Sequence, residues 1–128
     1  MSYYFTKRIN GDFESAISKV TEELKKEGFG ILTEIDVQAT FKKKLDIDFK
    51  KYRILGACNP NFAYEAIKAE DKIGTMLPCN VIVQEQEDGI VEVSAVDPVA
   101  SMVSVKNSSL ANIASEVREK LNRVINNL

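Results

Sequence analysis

Tyr52-Arg53-Ile54-Leu55-Gly56-Ala57-Cys58-Asn59-Pro60 reads as a buried strand that runs directly into a helix and leaves a thiol at the junction. Asn59 is suited to cap that helix and Pro60 to occupy its first position, so the strand ends at Cys58. A related stretch follows in Leu77-Pro78-Cys79-Asn80-Val81-Ile82-Val83. Here the Cys-Asn pair opens a strand, and Pro78 fits only at the start of one, where its missing N–H interrupts no ladder. Cys58 and Cys79 are the only cysteines of the chain.

Upstream, residues 3–9 are rich in aromatics and end at the turn signal Asn10-Gly11, which predicts a first strand. Asp12 offers its carboxylate to the free amides of a helix whose Phe13, Ile17, Val20 and Leu24 share one side, and Gly28 ends it. Simple alternation over residues 31–38 puts Ile31, Thr33, Ile35 and Val37 on one face of a half-buried strand and Leu32, Glu34 and Asp36 on the other. A short helix is expected over residues 39–45, with Phe41 and Leu45 inward and Lys42, Lys43 and Lys44 outward. The basic run continues through Lys50, Lys51 and Arg53, but Asp46 and Asp48 interrupt it and no glycine-rich phosphate cradle accompanies it, so it reads as a solvated face.

Downstream of Pro60, Phe62, Ala66 and Ile67 give the next helix its apolar side over residues 61–70. Strands over residues 79–86 and 90–96 flank Glu87-Asp88-Gly89, whose Asp-Gly pair signals a hairpin. Asp97-Pro98 again pairs a cap with proline and starts a short helical turn. The last helix carries a continuous stripe of Leu110, Ile113, Ala114, Val117, Leu121, Val124 and Leu128.

The expected architecture is α+β over a single domain, residues 1–128, in the order β-α-β4-α. A five-stranded antiparallel sheet is expected, with the two long helices on one face and short helices inserted between strands. A meander of the last four strands brings the end of the third strand and the start of the fourth to one sheet edge, and Asp97 ends the fifth strand there. Cys58, Asn59, Cys79, Asn80 and Asp97 are thereby expected to gather, while Glu34 and Asp36 line the face away from the core, able to meet a second subunit or a ligand.

Composition excludes several classes. The 128 residues are 45% hydrophobic and 28% charged, with 17 basic and 19 acidic side chains and a net charge of −2, so no overall field recruits nucleic acid or an anionic membrane. No apolar run reaches membrane-spanning length, and the first ten residues do not resemble a signal peptide. With that, the two cysteines point to a reducing, cytoplasmic setting with free thiols. Histidine is absent, which excludes any Ser-His or Cys-His nucleophile within the chain.

The runs Gly28-Phe29-Gly30-Ile31-Leu32-Thr33-Glu34-Ile35-Asp36-Val37, Tyr52 to Pro60, Leu77-Pro78-Cys79-Asn80-Val81 and Val93-Ser94-Ala95-Val96-Asp97-Pro98 together resemble the uncharacterised family called domain of unknown function 302. The resemblance spans nearly the whole chain. It implies a compact bacterial or archaeal domain with a TATA-binding-protein-like α+β fold, often homodimeric, and it implies no activity or cofactor. DNA binding does not follow from that fold, because the sheet carries too few Lys and Arg.

On the residues alone, Cys58 and Cys79 suit small apolar thiols at a core edge. Two sharper readings stand beside that: a thiol pair cycling through a disulfide, or two thiolates joined by Asp97 around zinc. The isolated spacing of the cysteines ranks the metal reading last, and no metal ligand set is assigned. Asn59 and Asp97 have cap roles, whereas Asn80 has none and is the better ligand-orienting amide. The function expected is a homodimeric domain that binds a small molecule or a partner near Cys58, Asn59, Cys79, Asn80, Glu34, Asp36 and Asp97. Thiol redox through Cys58 and Cys79 is the alternative.

Overall fold

The computed structural model describes residues 2–128. Its elements are β1 (Tyr4–Ile9), α1 (Phe13–Lys26), β2 (Gly30–Asp36), α2 (Val37–Leu45), β3 (Tyr52–Cys58), α3 (Pro60–Ala69), a 3-10 helix (Asp71–Met76), β4 (Cys79–Glu85), β5 (Val91–Val96), α4 (Pro98–Ser101) and α5 (Ser108–Asn126). All five strands form one sheet in the order β1-β5-β4-β3-β2, and every neighbouring pair is antiparallel. The α+β architecture is therefore the one expected, with β1 beside β5 closing the far edge.

Local chemistry explains most boundaries. Asp12 Oδ1 accepts from the Ser15 amide at 2.7 Å and starts α1, whose Phe13, Ala16, Val20 and Leu24 are buried along one side. Gly28 then takes φ +85°, a left-handed conformation that a side chain would oppose. Gly89 does the same in the β4–β5 hairpin, at φ +80°. Asn107 accepts from the Ser109 and Leu110 amides to start α5.

One face of the sheet, with Leu55, Ala57, Cys79, Val81, Val83, Val91, Val93 and Ala95, is sealed by α1 and α5 through Phe13, Val20, Leu24, Val117, Leu121 and Val124. A smaller cluster of Ala66, Ile73, Met102, Leu110 and Ala114 extends that core under α3 and α4. The other face has no long helix over it.

Four local expectations are corrected. First, a β-bulge between Ile31 and Thr33 breaks the alternation of β2. Glu34 pairs with Leu55 and Asp36 with Arg53, so both carboxylates lie on the helix-covered side, and Thr33 and Ile35 take the open side. Second, β2 stops at Asp36 because its Oδ1 accepts from the Ala39 amide at 2.9 Å, which makes Val37 and Gln38 the start of α2. Third, Leu45 is not inward: it is 62% exposed, and α2 buries no residue at all. Ile67 is exposed as well. Fourth, Asn59 occupies the cap position of α3 without capping it; its Nδ2 donates instead to the Glu27 carbonyl at 3.2 Å.

Candidate functional site

Where β3 ends and β4 begins, the sheet, α3, α4 and α5 do not close completely. They enclose a pocket of about 280 Å³. Ala57, Cys58, Pro78 and Cys79 form its sheet wall; Phe62, Ala63 and Ala66 of α3 and Ile113, Ala114 and Val117 of α5 form its sides; Met102 and Phe29 also line it. Leu32 and Ile67 line the pocket and are yet exposed, Leu32 at 67%, so they mark its rim. The bulge of β2 is what turns Leu32 toward that position, because it adds a residue opposite the end of β3.

The wall nearest Asn59 is fixed by three connected features. Phe29 is buried, and its amide donates to the Leu24 carbonyl at 2.9 Å, which ties it to the end of α1. The Asn59 amide bridges from the start of α3 to that same end. A methyl group at Gly28 would lie 2.9 Å from Asn59 Nδ2, so glycine there serves both the turn and the bridge. Glu27, whose carbonyl accepts this bond, sends its carboxylate to Arg123 at 2.9 Å and lies 3.8 Å from Lys120. The hydrogen bond from Arg123 holds the Glu27 carboxyl below its usual range.

The polar groups of the pocket are few. Cys58, Cys79 and Asn59 supply them, and no charged side chain lines it. Ala57 pairs directly with Cys79 across β3 and β4, which places Cys58 one residue beyond that pair. Both cysteines are free thiols. Burial pushes the Cys79 thiol up to about 11, and the neighbouring Cys58 charge adds to the shift. At neutral pH Cys79 is accordingly protonated and a poor nucleophile.

Of the residues singled out in the sequence, the pocket therefore gathers Cys58, Asn59 and Cys79 and leaves four elsewhere. Asn80 follows Cys79 on a strand and so points to the open side, where it lines a groove of about 480 Å³ with Tyr3, Tyr4, Tyr52 and Ile82. Asp97 is buried but faces away from the pocket lining: Oδ1 accepts from the Val99 amide at 3.0 Å and Oδ2 from Arg118 Nε at 3.0 Å. Its neighbour Pro98 is the residue that reaches the pocket. Glu34 and Asp36 lie at the opposite end of β3, around Arg53, at 3.0 and 3.6 Å, with Glu14 of α1 at 3.2 Å. The Arg53 guanidinium also sits 5.4 Å from the centre of the Phe13 ring. These charges form a structural network that joins the sheet to α1.

The helix-borne walls were not anticipated. Phe62 and Ala66 stood out only as the apolar side of α3, and Ile113, Ala114 and Val117 only as part of a stripe; nothing in a stripe tells which of its members meet a void rather than a neighbour. Among the described residues no group of three or more His, Cys, Asp or Glu side chains is arranged to hold a metal ion. No described helix is long and apolar enough to cross a membrane.

Comparison with known proteins adds the family and the fold. No curated protein matches the chain. A crystal structure of an uncharacterized conserved DUF302 protein from Bacillus stearothermophilus is similar to it, with a TM-score of 0.91 and 24% identity over 98% of each chain. At that identity the likeness establishes the fold alone. The profile of the family described as Domain of unknown function DUF302 matches residues 5–128, almost the full length. The chain belongs to the DUF302 family.

Proposed function

We propose that this protein binds a small, mostly apolar molecule in the pocket at the ends of β3 and β4, with Asn59 and the two thiols as its polar contacts. The observation that carries this reading is the pocket itself: about 280 Å³ of apolar wall with its polar groups confined to one side. Ligand sites commonly have this composition and span about 300–1,000 Å³, so the molecule sits at the small end of that range. The lack of a charged lining residue and the raised Cys79 pKa favour binding over catalysis.

Methyl chemical shifts followed by NMR during titration with benzene and with n-hexanol test the reading. The expected result is saturable shifts at Leu32, Ile113 and Val117, lost when Ala63→Phe fills the space from α3. Shifts scattered over the open sheet face, or unaffected by Ala63→Phe, would overturn it.

Thiol redox is the second reading, favoured by Cys58 and Cys79 sharing one pocket. It makes Cys58 the attacking thiol, because Cys79 is held protonated. Equilibration in glutathione buffers with intact-mass detection of an internal disulfide supports this reading if a titratable potential is found, and removes it if both thiols stay reduced throughout.

The same proposal makes the active form a homodimer in a reducing, cytoplasmic setting. Ile35, Leu45, Ile47 and Phe49 are large, apolar and exposed, beside an apolar groove of about 450 Å³ lined by Phe41 and Ile54. A second copy covering that face would bury what the monomer leaves in water. Sedimentation is expected to show a dimer that Leu45→Ser with Phe49→Ser converts to monomer; a monomeric parent chain would remove this part of the proposal.

A further inference from the structure

We infer that Cys58 and Cys79 together form a two-coordinate site for a monovalent soft cation, copper(I) or silver(I) in kind. The inference rests on the proposed pocket being open to solutes, and it goes further by naming a class of occupant. Both thiols are free and line one cavity from adjacent strands, with Ala57 opposite Cys79 fixing their relative position. Cys79 is only 8% exposed, and no hydrogen bond contributes to holding its thiol, so it is a polar group without a protein partner facing a void.

The surroundings select the ion. The chain has no histidine, and the pocket presents no carboxylate, so zinc, which takes four N, O or S ligands, lacks half its set here. Thiolates are soft ligands and favour copper(I), for which two suffice. Binding replaces two S–H bonds by two S–metal bonds and releases both protons, leaving a bis-thiolate complex with one net negative charge. That charge would form at the N-terminus of α3, a ten-residue helix whose cap residue Asn59 makes no side-chain cap bond and whose first residue is Pro60. Its unmatched amides and dipole provide the positive end that such a complex needs in an apolar wall. The high Cys79 pKa sharpens the choice, because protons at neutral pH are displaced there only by a strongly thiophilic ion.

Copper(I), supplied anaerobically to the fully reduced chain in competition with a chromophoric chelator, tests this. The expected result is one copper per chain, two sulfur scatterers by X-ray absorption, and zinc left unbound. Losing a direct ligand should cost at least the ~100-fold seen for lost outer partners, so Cys58→Ser and Cys79→Ser should each weaken binding about 100-fold or more. Equal binding by either variant and the parent chain would overturn the inference, as would fewer than two sulfurs at the metal. The X-ray absorption arm uses the parent chain alone and decides the matter even where Cys79→Ser fails to fold. Benzene titration of the same sample separates the two proposals: benzene shifts without copper binding remove only this one, and the absence of both removes the pocket.

Discussion

Ile54 and Leu55 are consecutive on β3 and point to opposite sides of one sheet. Leu55 is sealed beneath α1 and α5, whereas Ile54 lines an apolar groove that the chain leaves open. Both faces are apolar here, so hydrophobicity alone does not say which one is the core. What distinguishes them is the pair of long amphipathic helices, which can cover only one side.

The largest expected effect tests that contrast directly. Leu55→Ala should cost about 2–5 kcal/mol of unfolding free energy, because it removes buried methyl groups from a site unable to collapse. Ile54→Ala should cost far less and should instead weaken any self-association; equal losses in denaturant titrations would break the distinction between the faces. A second contrast lies within the covered face, between Cys79 and the junction thiol Cys58. The Cys79 thiol titrates near 9.0 when unfolded and at about 11 when folded, so the unfolded chain loses its proton first as pH rises. Stability is thus fully present below pH 9 and falls by about 2–3 kcal/mol on the way through about pH 11. Cys79→Ala should remove that decline, which chemical unfolding at a series of alkaline pH values can measure. The smallest effect compares two aspartate caps. Asp97 is buried and starts α4, whereas Asp36 starts α2 from a half-exposed position. Asp97→Ala should cost about 1–2 kcal/mol and Asp36→Ala about 0.5, and a reversed order in thermal unfolding would mean that burial does not set the worth of a cap.

The caps also show how far the sequence could be read. Asp12, Asp97 and Asn107 act on amides two or three residues away, and Gly28 and Gly89 act through their own backbone, so each boundary was visible locally. Asn59 presents the same local pattern and behaves differently, because the Glu27 carbonyl, far away in the chain, takes its amide. The meeting of Cys58 and Cys79 followed from the meander, since adjacent antiparallel strands share an end. The separation of Asn80 from that pair followed from the same rule of alternation and was legible in principle. The placement of Glu34 and Asp36 was not, because no residue type announces a bulge, and one extra residue inverts every assignment after it. The remaining walls depend on how closely α3 and α5 approach the sheet, a distance fixed by packing rather than by periodicity.

Leu32 occupies an unusual position in this respect. It is the residue that the ladder of β2 skips, so a chain lacking it could pair β2 with β3 without interruption while Ile31, Thr33, Glu34 and Ile35 kept their present sides. Chain length at this one position is therefore free to vary independently of the rest of the strand. Lineages could widen or narrow the entrance by gaining or losing a single codon, with the scaffold behind it untouched.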